Sequence, residues 1–153
     1  MPSEPFIAQM PFEAQHPHAL AIYCSDGRFT EPVEELARHL GHARIDTLTL
    51  PGGPGLLNRF SADYLESDMV TRAAHFLIRG HHIQEVLLLA HAQCGYYRTR
   101  HGALGEDFVA EQQLTDLHAA AEELRKVFPQ LHVHLYFVRP HGTAIHFEAV
   151  PGR

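Results

Sequence analysis

Apolar residues recur along this chain in two rhythms, and each change of rhythm marks an element. The run ALAIY, residues 19–23, is apolar without a break, as in a strand covered on both faces of a parallel sheet. Thr30 offers a side-chain oxygen to cap a helix, Glu31 and Pro32 suit its first turn, and Gly41 stops it after Leu36 and Leu40. IDTLTL, residues 45–50, alternates with a period of two and carries β-branched residues, so it predicts a second strand that breaks at PGGPG. Ser61 is placed to cap the next helix, in which Leu65, Met69, Ala73, Phe76 and Leu77 make one apolar stripe ending at Gly80. IQEVLLLA, residues 83–90, reads as a third strand. Beyond a glycine-containing loop, Leu114, Leu117, Ala121, Leu124 and Phe128 recur at three-and-four spacing up to Pro129, predicting the longest helix. LHVHLYFV and AIHFEAV flank the turn RPHGT as a hairpin or as a strand with a return edge.

Strands and helices in this alternation predict an α/β fold, with a mainly parallel sheet of four to five strands and helices on its faces. Residues 1–17, with four prolines and no clear period, read as an extended arm lying on the domain or on a partner chain. Residues 18–153 read as one domain, a length that suits a single core. Hydrophobic residues at 45% and charged residues at 20% exclude a disordered chain. A net charge of −6, with no basic stripe, argues against a nucleic-acid surface and leaves small-molecule chemistry. The N-terminal stretch has neither a basic region nor an unbroken apolar run of signal-peptide kind, so a cytoplasmic location is expected. The longest purely apolar run, residues 86–90, is far short of the about 20 that cross a bilayer. In a reducing compartment the two cysteines read as metal ligands or reactive thiols rather than a disulfide.

Two of the predicted strands run directly into metal-capable residues. ALAIY leads into Cys24-Ser25-Asp26-Gly27-Arg28, and EVLLLA leads into His91-Ala92-Gln93-Cys94-Gly95. Ligands in open α/β sheets bind outside the carboxyl ends of strands, so the two clusters can meet there. Together they supply two thiolates and one imidazole, a set that favours zinc and leaves a fourth tetrahedral position open. The plainer readings are two buried thiols acting as small hydrophobes, and an Asp26–Arg28 ion pair that only fixes its loop. Three residues between Cys24 and Arg28 are too few for a phosphatase or rhodanese anion loop. PGGPG matches no phosphate-binding pattern and reads as a tight turn. Of the other histidines, His132 and His134 share a strand face as a surface pair, His81 and His82 fall in a turn, and His101 is a candidate proton carrier. Tyr96 and Tyr97 read as packing groups beside the second cluster.

Cys-x-Asp-x-Arg after one strand and His-x-x-Cys-Gly after a later one resemble the β-carbonic anhydrase signature, across about Ala19 to Gly95. The resemblance implies a zinc lyase that hydrates carbon dioxide to bicarbonate, with Zn2+ on Cys24, His91 and Cys94. It implies catalytic roles for Asp26 and Arg28 and substrate contacts at Gly53 and Gly95. By the same comparison Asp26 either accepts a hydrogen bond beside the zinc or swings in as the fourth ligand, and pairing with Arg28 decides between the two. PGGPG stands where the family usually has an Arg-Asn-Ala-Gly-Asn-like segment, and Gln93 where an acidic residue is common. A homodimer or higher homo-oligomer is implied, with no nucleic-acid or membrane partner. Three alternatives stay open: a zinc hydrolase of carbonyl sulfide or carbon disulfide, an inactive zinc-binding relative, and thiol redox chemistry if the cysteines are free.

Overall fold

In the computed structural model, which describes residues 1–152, the run Ala19–Tyr23 forms strand β1 with every side chain buried. The remaining elements follow as α1 (Thr30–His39), β2 (Asp46–Thr49), α2 (Tyr64–Gly80), β3 (Glu85–His91), α3 (Gly95–His101), α4 (Glu106–Val127), β4 (His132–His141) and β5 (Ala144–Ala149). The five strands make one sheet in the order β2-β1-β3-β4-β5. All neighbours are parallel except β4 and β5, which form the expected hairpin. Alternate residues of the central strands serve two cores. Leu20, Ile22, Val86 and Leu88 pack towards α2 and α4, while Ala21, Tyr23, Leu87 and Leu89 pack with Phe29, Val33 and Leu36 on the α1 side. Each of these leucines and isoleucines contributes about 1.5–3 kcal/mol by leaving water.

Helix α1 ends as predicted, with Gly41 taking the left-handed conformation at φ 96° beyond Leu40. Its start differs: Phe29 occupies the cap position, no side chain caps it, and Thr30 is already helical. The cap of α2 is Asp63, whose carboxylate accepts from the Leu65 and Glu66 amides, whereas the Ser61 hydroxyl donates to Asp116.

The largest departure concerns the face that α2 buries. Ser67, Val70, Ala74 and Ile78 turn inward, and Leu65, Met69 and Phe76 are 76%, 64% and 69% exposed. Of the expected stripe, Leu77 still packs against the core. Three shorter elements were absent from the expected order, one of them a 3₁₀ turn at Gly102–Leu104 that follows α3. PGGPG contributes a 3₁₀ turn at Gly53–Leu57, and α3 follows immediately after Cys94. Residues 1–18 form no helix or strand, and Arg44 ties them down through the Glu13 carboxylate and the Gln15 carbonyl. Among the described residues, no helix is long and apolar enough to cross a membrane.

Candidate metal centre

The sheet order reverses at β1: the chain moves outward from it to β2, then returns to its other side with β3. Crossovers diverge at such a point and leave a crevice beyond the strand ends. Ile22 pairs with Leu88, so the chain leaves β1 at Cys24 level with the Ala90–His91 end of β3. Beyond His91, Gln93 takes a left-handed φ of 59°, and Cys94 becomes the cap residue of α3. That sharp turn returns the second thiol to the first.

Cys24, His91 and Cys94 bring their donor atoms within 4.8 Å of one another, and they form the one such group found among the described residues. The two sulfurs lie 3.9 Å apart, and both cysteines are free. Two thiolates on one tetrahedral zinc, each at about 2.3 Å, stand about 3.8 Å apart, so the spacing fits a shared ion. The imidazole fits as well. His91 Nδ1 lies 2.9 Å from the Ala92 carbonyl, which only accepts, so this nitrogen carries the proton. Nε2 is then left as a lone-pair donor, buried and without a hydrogen-bond partner. The Phe29 ring, 4.5 Å from the imidazole between centroids, backs the histidine.

The two thiols lie within hydrogen-bond reach of each other. Their mutual hydrogen bond pushes Cys24 down first of all, and the same contact together with burial pushes Cys94 up. Backbone N–H groups favour both ionised sulfurs, those of Gly52 and Asp26 at Cys24 and those of Tyr97 and Tyr96 at Cys94. This gives PGGPG a physical purpose. Gly53 adopts φ 55°, and a Cβ there would stand 2.8 Å from the Cys24 nitrogen, so only glycine lets the loop approach the ligand this closely.

Asp26 is outside the Cys–His–Cys group and is paired with Arg28. Arg28 Nη2 donates to Oδ2 at 2.6 Å, and Nε donates to Oδ1 at 3.0 Å. That hydrogen bonding holds the carboxyl down at about 2. Gly95 is exposed at the first position of α3 with open space around it. His101 packs between Tyr97 and Phe108, with ring centroids 6.2 and 6.1 Å away. On β4, His132 is exposed and His134 Nε2 lies 3.4 Å from Glu85, so the pair remains apart from any metal group among the described residues.

A family model described as "Putative carbonic anhydrase" matches residues 14–148. The chain belongs to this family. An uncharacterized protein of Rickettsia conorii is 25% identical over 138 residues, covering 86% of this chain and 73% of that protein. Solved β-carbonic anhydrases share the fold. CafA of Aspergillus fumigatus superposes with a TM-score of 0.54 at 19% identity over 87% of this chain and 76% of its own. Isoform I of Trichomonas vaginalis gives 0.58 at 11% identity over 94% and 88%. One of two tetrameric enzymes of Sordaria macrospora gives 0.55 at 16% identity over 88% and 81%.

Within this carbonic anhydrase family member, sequence reasoning passed over three buried polar residues that bond to the segments around the centre. Asn58, Gln113 and Asp116 are buried, and Gln113 Nε2 donates to the His91 carbonyl at 2.8 Å. A signal was available: positions 113 and 116 keep step with Leu117, Ala120 and Leu124 on the inner face of α4, where a polar residue needs a partner.

Proposed function

We propose that this chain is a zinc-dependent carbonic anhydrase, a lyase interconverting carbon dioxide and bicarbonate. The observation that carries the reading is the 3.9 Å spacing of the Cys24 and Cys94 sulfurs beside the unpartnered Nε2 of His91. Cys24, His91 and Cys94 are the residues that hold the ion. Bound there, zinc supplies Lewis acidity strong enough to ionise water at a pH of about 7. Thiolates oppose that by donating charge, and the amides bearing on both sulfurs draw part of the charge away.

Asp26, ionised and gripped by Arg28, is the proton-accepting group two residues from Cys24. In this role Arg28 keeps the carboxylate from becoming a ligand itself, so the fourth position stays available to solvent. Gly53 and Gly95 take the substrate-side positions by adding no side chain next to the two cysteines. The working assembly is a homodimer or larger. Leu65, Met69 and Phe76 on α2, together with Phe6, Ile7, Met10 and Phe12 of the arm, expose apolar area that a second copy would cover. Free cysteines acting as ligands suit the reducing cytoplasm.

Metal analysis followed by stopped-flow hydration of carbon dioxide tests the reading. Zinc at about one ion per chain, and hydration that disappears in Cys24→Ser and His91→Ala, are the expected results. Bound zinc without hydration at any pH would replace the enzyme with an inactive zinc-binding relative.

A further inference from the structure

Helix α4 turns two polar side chains into the interior, where its apolar stripe would otherwise continue. Gln113 and Asp116 are both buried, and their three-residue spacing puts them on one helix face. Four donors converge on Asp116. Oδ1 accepts from Asn58 Nδ2 at 2.8 Å, Ser61 Oγ at 2.8 Å and Gln112 Nε2 at 3.0 Å, and Oδ2 accepts from the Tyr97 hydroxyl at 2.6 Å.

Gln112 lies one turn earlier on α4 itself, and the other three donors come from the two segments beside the candidate ligand sulfurs. Asn58 and Ser61 follow directly on the loop whose Gly53 lies against the Cys24 backbone. Tyr97 stands in the first turn of α3 and packs with Cys94 in one buried cluster. Burying a carboxylate is costly unless its lone pairs are used, and apolar residues would hold α4 to the sheet without it. The loop is also shaped around this hydrogen bond. A Cβ at Gly55 would fall on the Tyr97 hydroxyl and stand 3.3 Å from Asp116 Oδ2.

We infer that Asp116 is a positioning residue of the metal centre, fastening the Gly52 loop and the Tyr97 turn at the spacing that lets Cys24 and Cys94 share one ion. The inference rests on the metal-binding reading and extends it to a residue that touches no ligand. Gln113, bonded to the His91 carbonyl, makes α4 the common support of all three ligand segments.

Two substitutions test this. Tyr97→Phe deletes only the hydroxyl, and Asp116→Asn keeps the shape while turning an acceptor towards its donors as another donor. Ile78→Val serves as a control: it trims the core at the end of α2, where the Ile83 amide bonds the Ile78 carbonyl just before β3 begins, remote from the metal loops. Zinc affinity is read by competition with a chromophoric chelator, ligand geometry by the absorption of bound Co2+, and folding by thermal melting. The zinc Kd is expected to rise about ten- to hundredfold in Tyr97→Phe and in Asp116→Asn, with displaced thiolate-to-cobalt bands. The double variant binds no more weakly than the weaker single one, because both cut the same tie. Ile78→Val lowers the melting temperature and leaves affinity and spectrum alone. If Asp116→Asn does not fold, Tyr97→Phe carries the test. Unchanged affinity and spectrum in Tyr97→Phe overturn the inference and leave the metal-binding reading standing; a wild-type protein that takes up neither ion overturns both.

Discussion

Arg28 grips both carboxylate oxygens of Asp26 through its guanidinium, and its backbone N–H adds a further contact to Oδ1 at 3.0 Å. The pair is solvent-facing at Arg28, so its value lies in orientation more than in stability. Arg28→Ala is expected to reduce carbon dioxide hydration about tenfold or more, and Arg28→Lys to recover only part, since an ammonium group is a point charge without the two-pronged grip. Stopped-flow rates decide this, and equal rates in all three proteins would remove Arg28 from the mechanism.

The same pair sets an acid limit. A carboxyl whose folded value is depressed to about 2 adds stability that is complete above the ordinary 3.8 and fades as pH falls through about 2. Acid melting curves should therefore show a loss between about pH 4 and about pH 2 that Asp26→Asn lacks. Identical acid limbs would mean that the pair does not hold in solution.

Zinc should behave as a stabilising ligand. At about one hundred times its Kd it is expected to add about 2.7 kcal/mol, seen as a rise of about 5–10 °C in Tm that a chelator reverses. Uptake also requires the thiols to ionise, so affinity should fall with falling pH and acid should be released on titration. Cys94→Ser is predicted to abolish both effects in calorimetry.

Gly53→Ala would force a side chain into the left-handed region and against the Cys24 backbone. A loss of about 1–3 kcal/mol is expected from the strained conformation, together with weaker zinc binding because the loop must retreat from the ligand. Denaturant unfolding and zinc titration measure the two consequences separately.

The exposed face of α2 is open to a direct test. Leu65→Glu and Phe76→Glu replace side chains that already face outward, so a monomer should tolerate each within about 0.5 kcal/mol. Sedimentation is predicted to give a dimer or larger for the wild type and a smaller species for the variants. A wild-type monomer would dismiss the assembly.

That face also marks where sequence reasoning went astray. The stripe of Leu65, Met69 and Phe76 has the spacing of a core face, and periodicity alone does not distinguish a side that packs inward from one that awaits a partner. The strands were legible because burial on both faces left ALAIY and EVLLLA as unbroken apolar runs, and the meeting of Cys24, His91 and Cys94 was legible because they stand at or just beyond the ends of those runs. The PGGPG turn was legible too, and the Gly53 amide closes it on the Leu50 carbonyl. Helix α3 was not: it is short, and the bond from Tyr97 to Asp116 that fastens it joins residues no local pattern connects.

Because Cys24, His91 and Cys94 stand at or just beyond the ends of β1 and β3 in the buried middle of the sheet, the receptacle is expected to be in place before an ion arrives. Small zinc modules spend much of their binding energy on ordering a loose chain; here that energy is kept as affinity, and stripping the ion should leave a cooperatively folded apoprotein.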